Sequence, residues 1–145
     1  MTFLSKKNFQ KLWQNQKNEL AAVPIAPRLT PITTWDNRTR SYKINLGTVD
    51  GRRVYGYLSI PLTPGNYPAV ITHAAFGVGP NLCIPRPEIA ADIGAISLSI
   101  WMHNAEPDQQ APNAYFPKNW DNPSKNYFRY GVLGIIRAID YIQTL

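Results

Sequence analysis

Apolar residues near the start of the chain recur at the spacing of an amphipathic helix. The series is Phe9, Leu12, Trp13, Gln16 and Leu20, in which only Gln16 is polar. This spacing predicts a helix over residues 6–22, with Ser5 or Asn8 as its N-cap. Pro24 ends it. Three prolines in residues 23–31 then remove backbone donors, which predicts an extended surface connector rather than a helix or an internal strand.

The pattern changes to alternation over residues 41–48, where Tyr42, Ile44 and Leu46 are separated by polar positions. Alternation of this kind is typical of a half-buried strand. Residues 53–60 supply a second strand, and the dipeptide Asp50-Gly51 between them favours a tight turn. Together the two segments predict a β-hairpin.

Residues 66–80, NYPAVITHAAFGVGP, form the stretch on which the functional interpretation depends. Pro68 can open a strand, and residues 69–72 are a β-branched run too short for a buried helix. This predicts a fully buried central strand. Small residues and glycines follow in residues 74–80, where the backbone can turn tightly and expose its amide groups. Backbone donors at the carboxyl end of a strand can bind an anion or an oxyanion.

A second apolar run follows a short helical segment. Residues 88–93 predict a helix that ends at Gly94, and residues 95–101 predict a buried strand. A strand, a crossover and a second strand are usually parallel neighbours, so residues 69–72 and 96–100 are expected to pair side by side.

The last third of the chain combines a long loop with an apolar helix. Residues 103–126 show no period, and a loop of that length suggests a function. Residues 125–143 predict a helix with an apolar stripe, made of Phe128, Val132, Ile135, Ile136, Ile139 and Ile142. Such a helix needs a sheet to cover, and the next strand of an α/β fold should start soon after Leu145. The sequence is therefore expected to be cut short.

Composition narrows the class of protein. With 145 residues, 44% of them hydrophobic, the chain is long enough for one folded domain. The net charge of +6 comes from scattered Lys and Arg, which argues against a nucleic-acid partner. One cysteine and two histidines give no disulfide and no metal-ligand spacing, so no metal is expected. No leader and no run of 18 apolar residues occur, so no membrane partner is expected and the protein is predicted to be cytoplasmic.

The glycine loop also invites a nucleotide-binding interpretation. Gly77 and Gly79 begin a G-x-G-x-x-G fingerprint, but Leu82 stands where the last glycine should be. Pro80 lies inside the would-be motif. A dinucleotide site is therefore disfavoured, and a simple strand-to-helix turn is the plain structural alternative.

Three strings carry a resemblance to a known family. They are FQKLWQNQKNELAAVPIAP, VDGRRVYGYLSIP and YFRYGVLGIIRAIDYI. In their order they resemble the leading helix, the early strands and the helix before the nucleophile in the acetylxylan esterase and cephalosporin C deacetylase family of α/β-hydrolases. The resemblance implies the N-terminal half of an α/β-hydrolase, a partly parallel sheet with flanking helices that stops before the nucleophile elbow. Residues 1–40 would form the N-terminal helix and Pro-rich connector, and residues 41–145 a partial hydrolase domain.

The resemblance also implies site residues. The family's His-Gly-aromatic-Gly-Gly loop falls on residues 74–78, so the backbone N–H of Phe76 would donate to the oxyanion, and Ala75 and Gly77 would line the pocket. His73 and His103 would border it, although a lone histidine is more often a hydrogen-bonded structural residue. Where many members carry Arg-Gly-Gln, this chain has Met-His-Asn at residues 102–104.

The rest of the catalytic machinery is absent from this sequence. In α/β-hydrolases the Gly-x-Ser-x-Gly elbow, the acid and the histidine lie further along the chain, and these 145 residues contain no such elbow. Ser97 and Ser99 lie inside a predicted strand without a partner base, so neither is expected to be a nucleophile. Aromatic residues near the long loop are expected to pack rather than to stack on sugars: Tyr115, Phe116, Trp120, Tyr127 and Phe128.

The implied activity is hydrolysis of small acyl esters, especially acetylated carbohydrates, by a serine nucleophile beyond the end of this chain. No cofactor is implied, and the chain alone is expected to be inactive. The alternative is a non-catalytic fragment or interaction module that pairs through an exposed sheet edge, with self-association as its consequence.

Overall fold

The computed structural model describes residues 5–73, 83–101, 122 and 125–145. Within these ranges the chain forms two α-helices and five strands. In chain order they are α1 (Lys6–Ala21), β1 (Arg28–Ile32), β2 (Thr39–Gly47), β3 (Arg53–Pro61), β4 (Ala69–His73), β5 (Ile96–Trp101) and α2 (Tyr127–Ile142). A 3-10 turn, Val49–Gly51, joins β2 to β3, and a π-helical turn, Ile89–Ile93, precedes β5. Neither α1 nor α2 has the length and apolarity needed to cross a bilayer.

The five strands form one mixed sheet in the order β1-β2-β3-β5-β4. β4 and β5 are parallel, with Ala69 opposite Ile96 and His73 opposite Ile100. The remaining pairs are antiparallel. The predicted parallel crossover is confirmed, because the apolar strand at residues 69–72 does lie beside the strand at residues 96–100.

The predicted β2–β3 hairpin is also confirmed. Gly47 lies opposite Arg53, and the turn between them holds Asp50 at φ 56° and Gly51 at φ 67°. Both residues are in the left-handed region, which asparagine, aspartate and glycine tolerate best. The Asp-Gly dipeptide therefore matches the backbone that closes this hairpin.

The prediction of a fully buried central strand is wrong for β4. In the described part of the chain, β4 is an edge strand that pairs only with β5, and Ala69 and His73 at its two ends are exposed. β5 is the strand that is buried along its whole length, because it lies between β3 and β4. An apolar run shows that a strand is buried on its faces, but it does not show how many neighbours the strand has.

The proline-rich connector contains a strand that the sequence did not indicate. β1 pairs antiparallel with β2 and includes Pro31 opposite Tyr42. β1 lies at the edge of the sheet, where a missing backbone N–H is tolerated. Before it, the carbonyl of Ile25 accepts a hydrogen bond from the Gly47 N–H at 2.7 Å. The segment is extended, as predicted, but part of it belongs to the sheet.

The helices begin and end close to their predicted limits. Ser5 is the N-cap of α1 and accepts a hydrogen bond from the Asn8 N–H. The predicted helix at residues 88–93 is a short π-helical turn, and Gly94, at φ 68°, is its C-cap as expected. Glycine is favoured there because an L side chain would be strained in that conformation.

The core lies between the sheet and α2. Its buried members include Leu58, Leu98, Ile100, Ala138 and Tyr141. α2 approaches β3 closely because Gly134 has no side chain, and a Cβ there would lie 3.2 Å from Val54 Cγ2.

The apolar stripe predicted on α2 is only partly buried, because Ile135, Ile136 and Ile142 pack against the core and the other three residues do not. The side chains of Phe128, Val132 and Ile139 remain 50%, 37% and 43% exposed. Leu133, Ala138 and Tyr141 face inward instead. The size and polarity of its residues therefore do not by themselves show which face of α2 is buried.

Candidate functional site

β4 and β5 end at the same edge of the sheet. His73 is the last residue of β4 and is exposed, whereas Trp101, the last residue of β5, is buried. Trp101 lies opposite Tyr55 near the start of β3, so the β2–β3 turn reaches this edge too. Because carboxyl ends of parallel strands border ligand sites in α/β folds, this carboxyl edge is the candidate active-site edge.

Of the predicted site residues, the structure places His73 at this edge. Ala75, Phe76, Gly77 and His103 lie outside the described residues. Their predicted roles in an oxyanion hole and a pocket therefore stay predictions.

A buried thiol lies directly below the carboxyl edge. Cys83 Sγ is 3.6 Å from the Ser99 carbonyl oxygen and 3.8 Å from Ser99 Oγ, and Cys83 packs with Trp101. Burial raises the pKa of the Cys83 thiol to about 11, opposed by the hydrogen bond with Ser99. A nucleophilic cysteine needs a lowered pKa and access to substrate, so Cys83 is a packing residue.

Ser97 and Ser99 are also buried, at 1% and 3% exposure. Both belong to β5, so neither stands on an exposed turn of the kind that presents a nucleophile. Their position agrees with the expectation that neither is catalytic.

A charged cluster joins α1, the β2–β3 turn and the first turn of α2. Its members are Gln16, Glu19, Asp50, Arg129 and Tyr130, and we name it the Arg129 cluster. Arg129 Nη2 is 2.6 Å from Glu19 Oε2, its Nη1 is 3.0 Å from Asp50 Oδ2, and its Nε donates to Gln16 Oε1. Tyr130 donates its hydroxyl proton to the same Asp50 oxygen at 2.7 Å.

Local helix geometry places Arg129 at the centre of this cluster. Asn126 caps α2 by accepting a hydrogen bond from the Phe128 N–H at 2.8 Å, which sets where the first turn begins. The Arg129 side chain is only 4% exposed, whereas Glu19 and Asp50 are each 46% exposed. Burial lowers the pKa of the guanidinium, but hydrogen bonds to the two carboxylates outweigh it and leave that pKa raised. Arg129 is therefore a buried, fully paired cation.

Asp50 is the most constrained carboxylate of the cluster. Its pKa is lowered, mainly by the hydrogen bond from Tyr130 and further by Arg129, against an opposing effect of burial. Burial and the hydrogen bond to Asp50 raise the pKa of Tyr130. The Arg52 guanidinium lies 4.0 Å from the centroid of the Tyr130 ring, a cation–π contact. The turn is thus held by charge as well as by backbone conformation.

An open cleft of about 460 Å³ lies over this cluster. Its lining consists of Gln16, Glu19, Asp50, Arg52, Lys125, Arg129 and Tyr130. The lining offers hydrogen-bond donors and acceptors of both charge signs beside one aromatic ring. Among the described residues, the lining contains no serine, cysteine or histidine. The cleft can therefore hold a polar group, but it does not supply a nucleophile paired with a histidine base.

A second arginine of α2 ties the two helices together. Arg137 Nη2 donates to the carbonyl oxygens of Leu20 at 2.6 Å and Val23 at 2.9 Å, at the end of α1. The Leu20 carbonyl lies in the last turn of α1 and also accepts the Val23 N–H at 2.9 Å, and Val23 directly follows the C-cap. Burial lowers the pKa of Arg137, with partial compensation by Asp140. α2 therefore caps α1 from the side.

Sequence reasoning missed these arginines as functional or structural centres. Arg129 and Arg137 are eight residues apart in a helix whose other charged residue is Asp140, so both project near the same side. A charged residue repeated on the inward side of an amphipathic helix is a signal of a buried, paired cation. Among the described residues, no group of three or more His, Cys, Asp or Glu side chains is arranged to hold a metal ion.

Comparison with solved structures defines the fold. The chain superposes on an acetyl xylan esterase from Paenibacillus sp. R4 with a TM-score of 0.76 at 18% identity, covering 100% of this chain and 49% of that one. Acetyl xylan esterase 1 from Thermoanaerobacterium sp. JW/SL YS485 gives a TM-score of 0.75 at 14% identity, covering 99% and 48%. The mixed sheet with flanking helices is thus an α/β-hydrolase fold.

Sequence comparison then shows the family. The family described as acetyl xylan esterase (AXE1) matches residues 3–84, which is more than half of the chain. The chain belongs to the acetyl xylan esterase family. A curated relative, the acetyl esterase Axe7A of Xylanibacter ruminicola, is 23% identical over 96% of this chain and 35% of its own length. The chain therefore spans between about a third and a half of the length of these relatives.

Proposed function

We propose that this chain is part of a serine esterase that removes acetyl groups from carbohydrates. The family match over residues 3–84 carries this proposal, because the relatives found by sequence and by structure are named acetyl esterases or acetyl xylan esterases. The substrate proposed is an acetylated sugar or another small acyl ester. The serine, its acid and its histidine base would lie in sequence beyond these 145 residues.

In this proposal the carboxyl edge of β4 and β5 supports the substrate pocket. The Phe76 backbone N–H, three residues after His73, would donate to the developing oxyanion. Ala75 and Gly77 would let the backbone come close to the ester, and His73 and His103 would form part of the wall. The residues that follow β4 would thus supply electrostatic stabilisation, and the nucleophile would come from elsewhere.

The first test uses the chain as it is. Purified residues 1–145 should hydrolyse p-nitrophenyl acetate no faster than a heat-treated sample, because the elbow motif is missing. Saturable turnover that a single Ser→Ala change abolishes would overturn the placement of the nucleophile outside this sequence.

The second test reads the coding DNA beyond codon 145. A Gly-x-Ser-x-Gly run within about thirty codons would support the proposal, since that elbow follows the helix that α2 resembles. A stop codon with no such run downstream would contradict it.

The third test examines Phe76 in the polypeptide that carries such an elbow. Phe76→Pro removes the backbone N–H and should lower kcat by about 100- to 1000-fold, as the loss of an oxyanion donor does elsewhere. Phe76→Ala keeps the N–H and is the matched control. Equal losses in both variants would show that the side chain matters and the N–H does not.

The described edge of β4 favours a second candidate function. A strand with one unpaired side can act as an interaction module, with no catalytic role for this chain. This candidate predicts binding without ester hydrolysis in any context, whereas the esterase proposal predicts hydrolysis once an elbow serine is present.

A further inference from the structure

A small cavity lies between α2 and the sheet. About 10 Å³ of it is open to a water-sized sphere, and a single buried water needs a space of about that size. The lining comes from three parts of the fold: the β2–β3 turn with the start of β3, the end of β5, and the first half of α2. The residues that matter here are Thr48, Arg52, Arg53, Ile100, Trp101 and Tyr130.

Most walls of this cavity are interior surfaces. Val54, Ile100 and Trp101 line it and are buried, and Thr48 is only 4% exposed. The cavity is therefore formed by packing among the described strands and α2. It does not depend on what covers the outer edge of the sheet or the exposed face of α2.

Thr48 brings a buried hydroxyl to this lining. Its backbone N–H donates to the Arg52 carbonyl at 3.0 Å, but its Oγ1 has no hydrogen-bond partner in the part of the chain that the structure describes. A buried hydroxyl without a partner is unfavourable, and buried polar groups are nearly always bonded to protein or to ordered water. We therefore expect the Thr48 hydroxyl to bind something inside the cavity.

Arg52 supplies a second group that can bind there. Its guanidinium lies 4.0 Å from the centroid of the Tyr130 ring, and this cation–π contact leaves its N–H groups able to donate hydrogen bonds. A threonine hydroxyl can both donate and accept. The lining thus offers the two or more polar partners that a buried water requires.

Volume and charge limit what can occupy the cavity. The space of one water-sized sphere excludes an organic ligand or a polyatomic anion. A metal cation is disfavoured because Arg52 and Arg53 both belong to the lining. Cavities that stay empty are typically lined by apolar groups, whereas this one includes the Thr48 hydroxyl.

We propose that this cavity binds one water molecule as part of the fold, with the Thr48 hydroxyl and the Arg52 guanidinium as its partners. The water links the β2–β3 turn to α2, next to the hydrogen bond that Tyr130 donates to Asp50. Two contacts then hold the turn against the helix, one direct and one through water. This inference does not depend on the proposed esterase activity.

Magnetic relaxation dispersion of solvent oxygen-17 tests the proposal, because it counts the water molecules that stay in a protein for longer than the protein takes to rotate. Thr48→Val keeps the shape of the side chain and removes the hydroxyl, so the count should fall by one. Thr48→Ser keeps the hydroxyl and should keep the count. Thr30→Val makes the same change at an exposed position of β1 and is the matched control that should leave the count unchanged.

Urea unfolding of the same variants gives an independent result, because the two explanations of the Thr48 hydroxyl predict opposite signs. With a bound water, Thr48→Val removes a partner of that water and should lower the urea midpoint. In a dry cavity, valine would replace an unpaired hydroxyl and the midpoint would rise. An unchanged water count or a raised midpoint for Thr48→Val would overturn the proposal.

A high-resolution crystal structure of the unchanged chain supplies the test if Thr48→Val does not fold, which circular dichroism would show. A water within about 3 Å of Thr48 Oγ1 supports the proposal. An empty cavity, or a protein group bonded to Oγ1 in place of water, contradicts it.

Discussion

Arg129 and Asp50 are 79 positions apart in sequence, yet Arg129 Nη1 lies 3.0 Å from Asp50 Oδ2. This contact joins the first turn of α2 to the β2–β3 turn at the carboxyl edge of the sheet. Asp50 is held there in a left-handed backbone conformation, at φ 56°. A salt bridge across such a sequence distance fixes the helix and the turn relative to each other.

Removing the Arg129 guanidinium should destabilise the whole chain. Arg129→Met leaves Gln16, Glu19 and Asp50 without their shared donor, and we expect a loss of about 1.5 to 3 kcal/mol in the free energy of unfolding. Because Glu19 and Asp50 are half exposed, water can solvate them again, which keeps the loss below that of a fully buried pair. Urea unfolding followed by circular dichroism measures it.

Arg38→Met is the control for this prediction. Arg38 bonds Asp36 and Asp92 but is 59% exposed, so its removal should lower the stability clearly less than the removal of Arg129 does. Equal losses for the two variants would mean that burial of Arg129 adds nothing to the cluster.

The Asp50 carboxylate should stabilise the fold at neutral pH and not in acid. Its folded-state pKa is lowered by the Tyr130 hydrogen bond and by Arg129. Stability from such a group is present above its unfolded pKa of about 4 and is lost as the pH falls through the lower folded value. Asp50→Asn should therefore flatten the decline of unfolding free energy below about pH 4. Asparagine also tolerates positive φ, so the turn is preserved.

Asp92→Asn removes an exposed carboxylate elsewhere and serves as the comparison. Unfolding free energies for both variants and the unchanged chain are measured from pH 7 downward. The same acid profile for Asp50→Asn and the unchanged chain would contradict the role assigned to Asp50.

The Cys83 thiol should be unreactive in the folded protein. Burial raises its pKa to about 11, so at pH 8 the thiolate fraction is about 100-fold below that of a thiol at the reference value of 9.0. Labelling by a disulfide reagent should be slow in native buffer and rapid in urea. Rapid native labelling with an unchanged circular dichroism spectrum would show that Cys83 is accessible.

This raised pKa also gives a stability effect of defined sign. The protonated thiol contributes stability below about pH 9, and that contribution is lost as the pH rises towards 11. Cys83→Ala should therefore weaken the fall in stability over that alkaline range, alongside its packing cost.

The sequence could predict the local elements because each depends on neighbouring residues. The Asp-Gly turn, the Ser5 cap and Gly94 all follow from local backbone chemistry. The crossover of β4 and β5 followed from the order of apolar runs, since topology permits few alternatives. The sequence could not show whether β4 is an edge strand or a central strand. An apolar residue such as Ile71 is expected in a strand with one neighbouring strand or with two.

The Arg129 cluster could not be predicted from the sequence for a different reason. Its partners come from α1, the β2–β3 turn and α2, and periodicity within one element does not show which other element approaches it. The position of Arg129 on the inward side of α2 was available as a signal. The identity of its partners, Glu19 and Asp50, required the tertiary structure.

The last prediction concerns a close approach in the sheet, between Gly56 of β3 and Ser99 of β5. A Cβ at Gly56 would lie 2.1 Å from the Ser99 carbonyl oxygen. That oxygen belongs to the backbone of a buried strand and cannot rotate away, so β3 and β5 would have to separate. Gly56→Ala should lower the free energy of unfolding by at least about 3 kcal/mol.

Gly94→Ala is the matched control, because a Cβ there meets open space and only the φ of 68° is unfavourable, at a cost of about 1 to 2 kcal/mol. Urea unfolding compares the two variants, and insoluble Gly56→Ala beside soluble Gly94→Ala would agree with the same ranking. Equal stability in both would show that β3 and β5 can move apart without loss, which the burial of β5 along its whole length argues against.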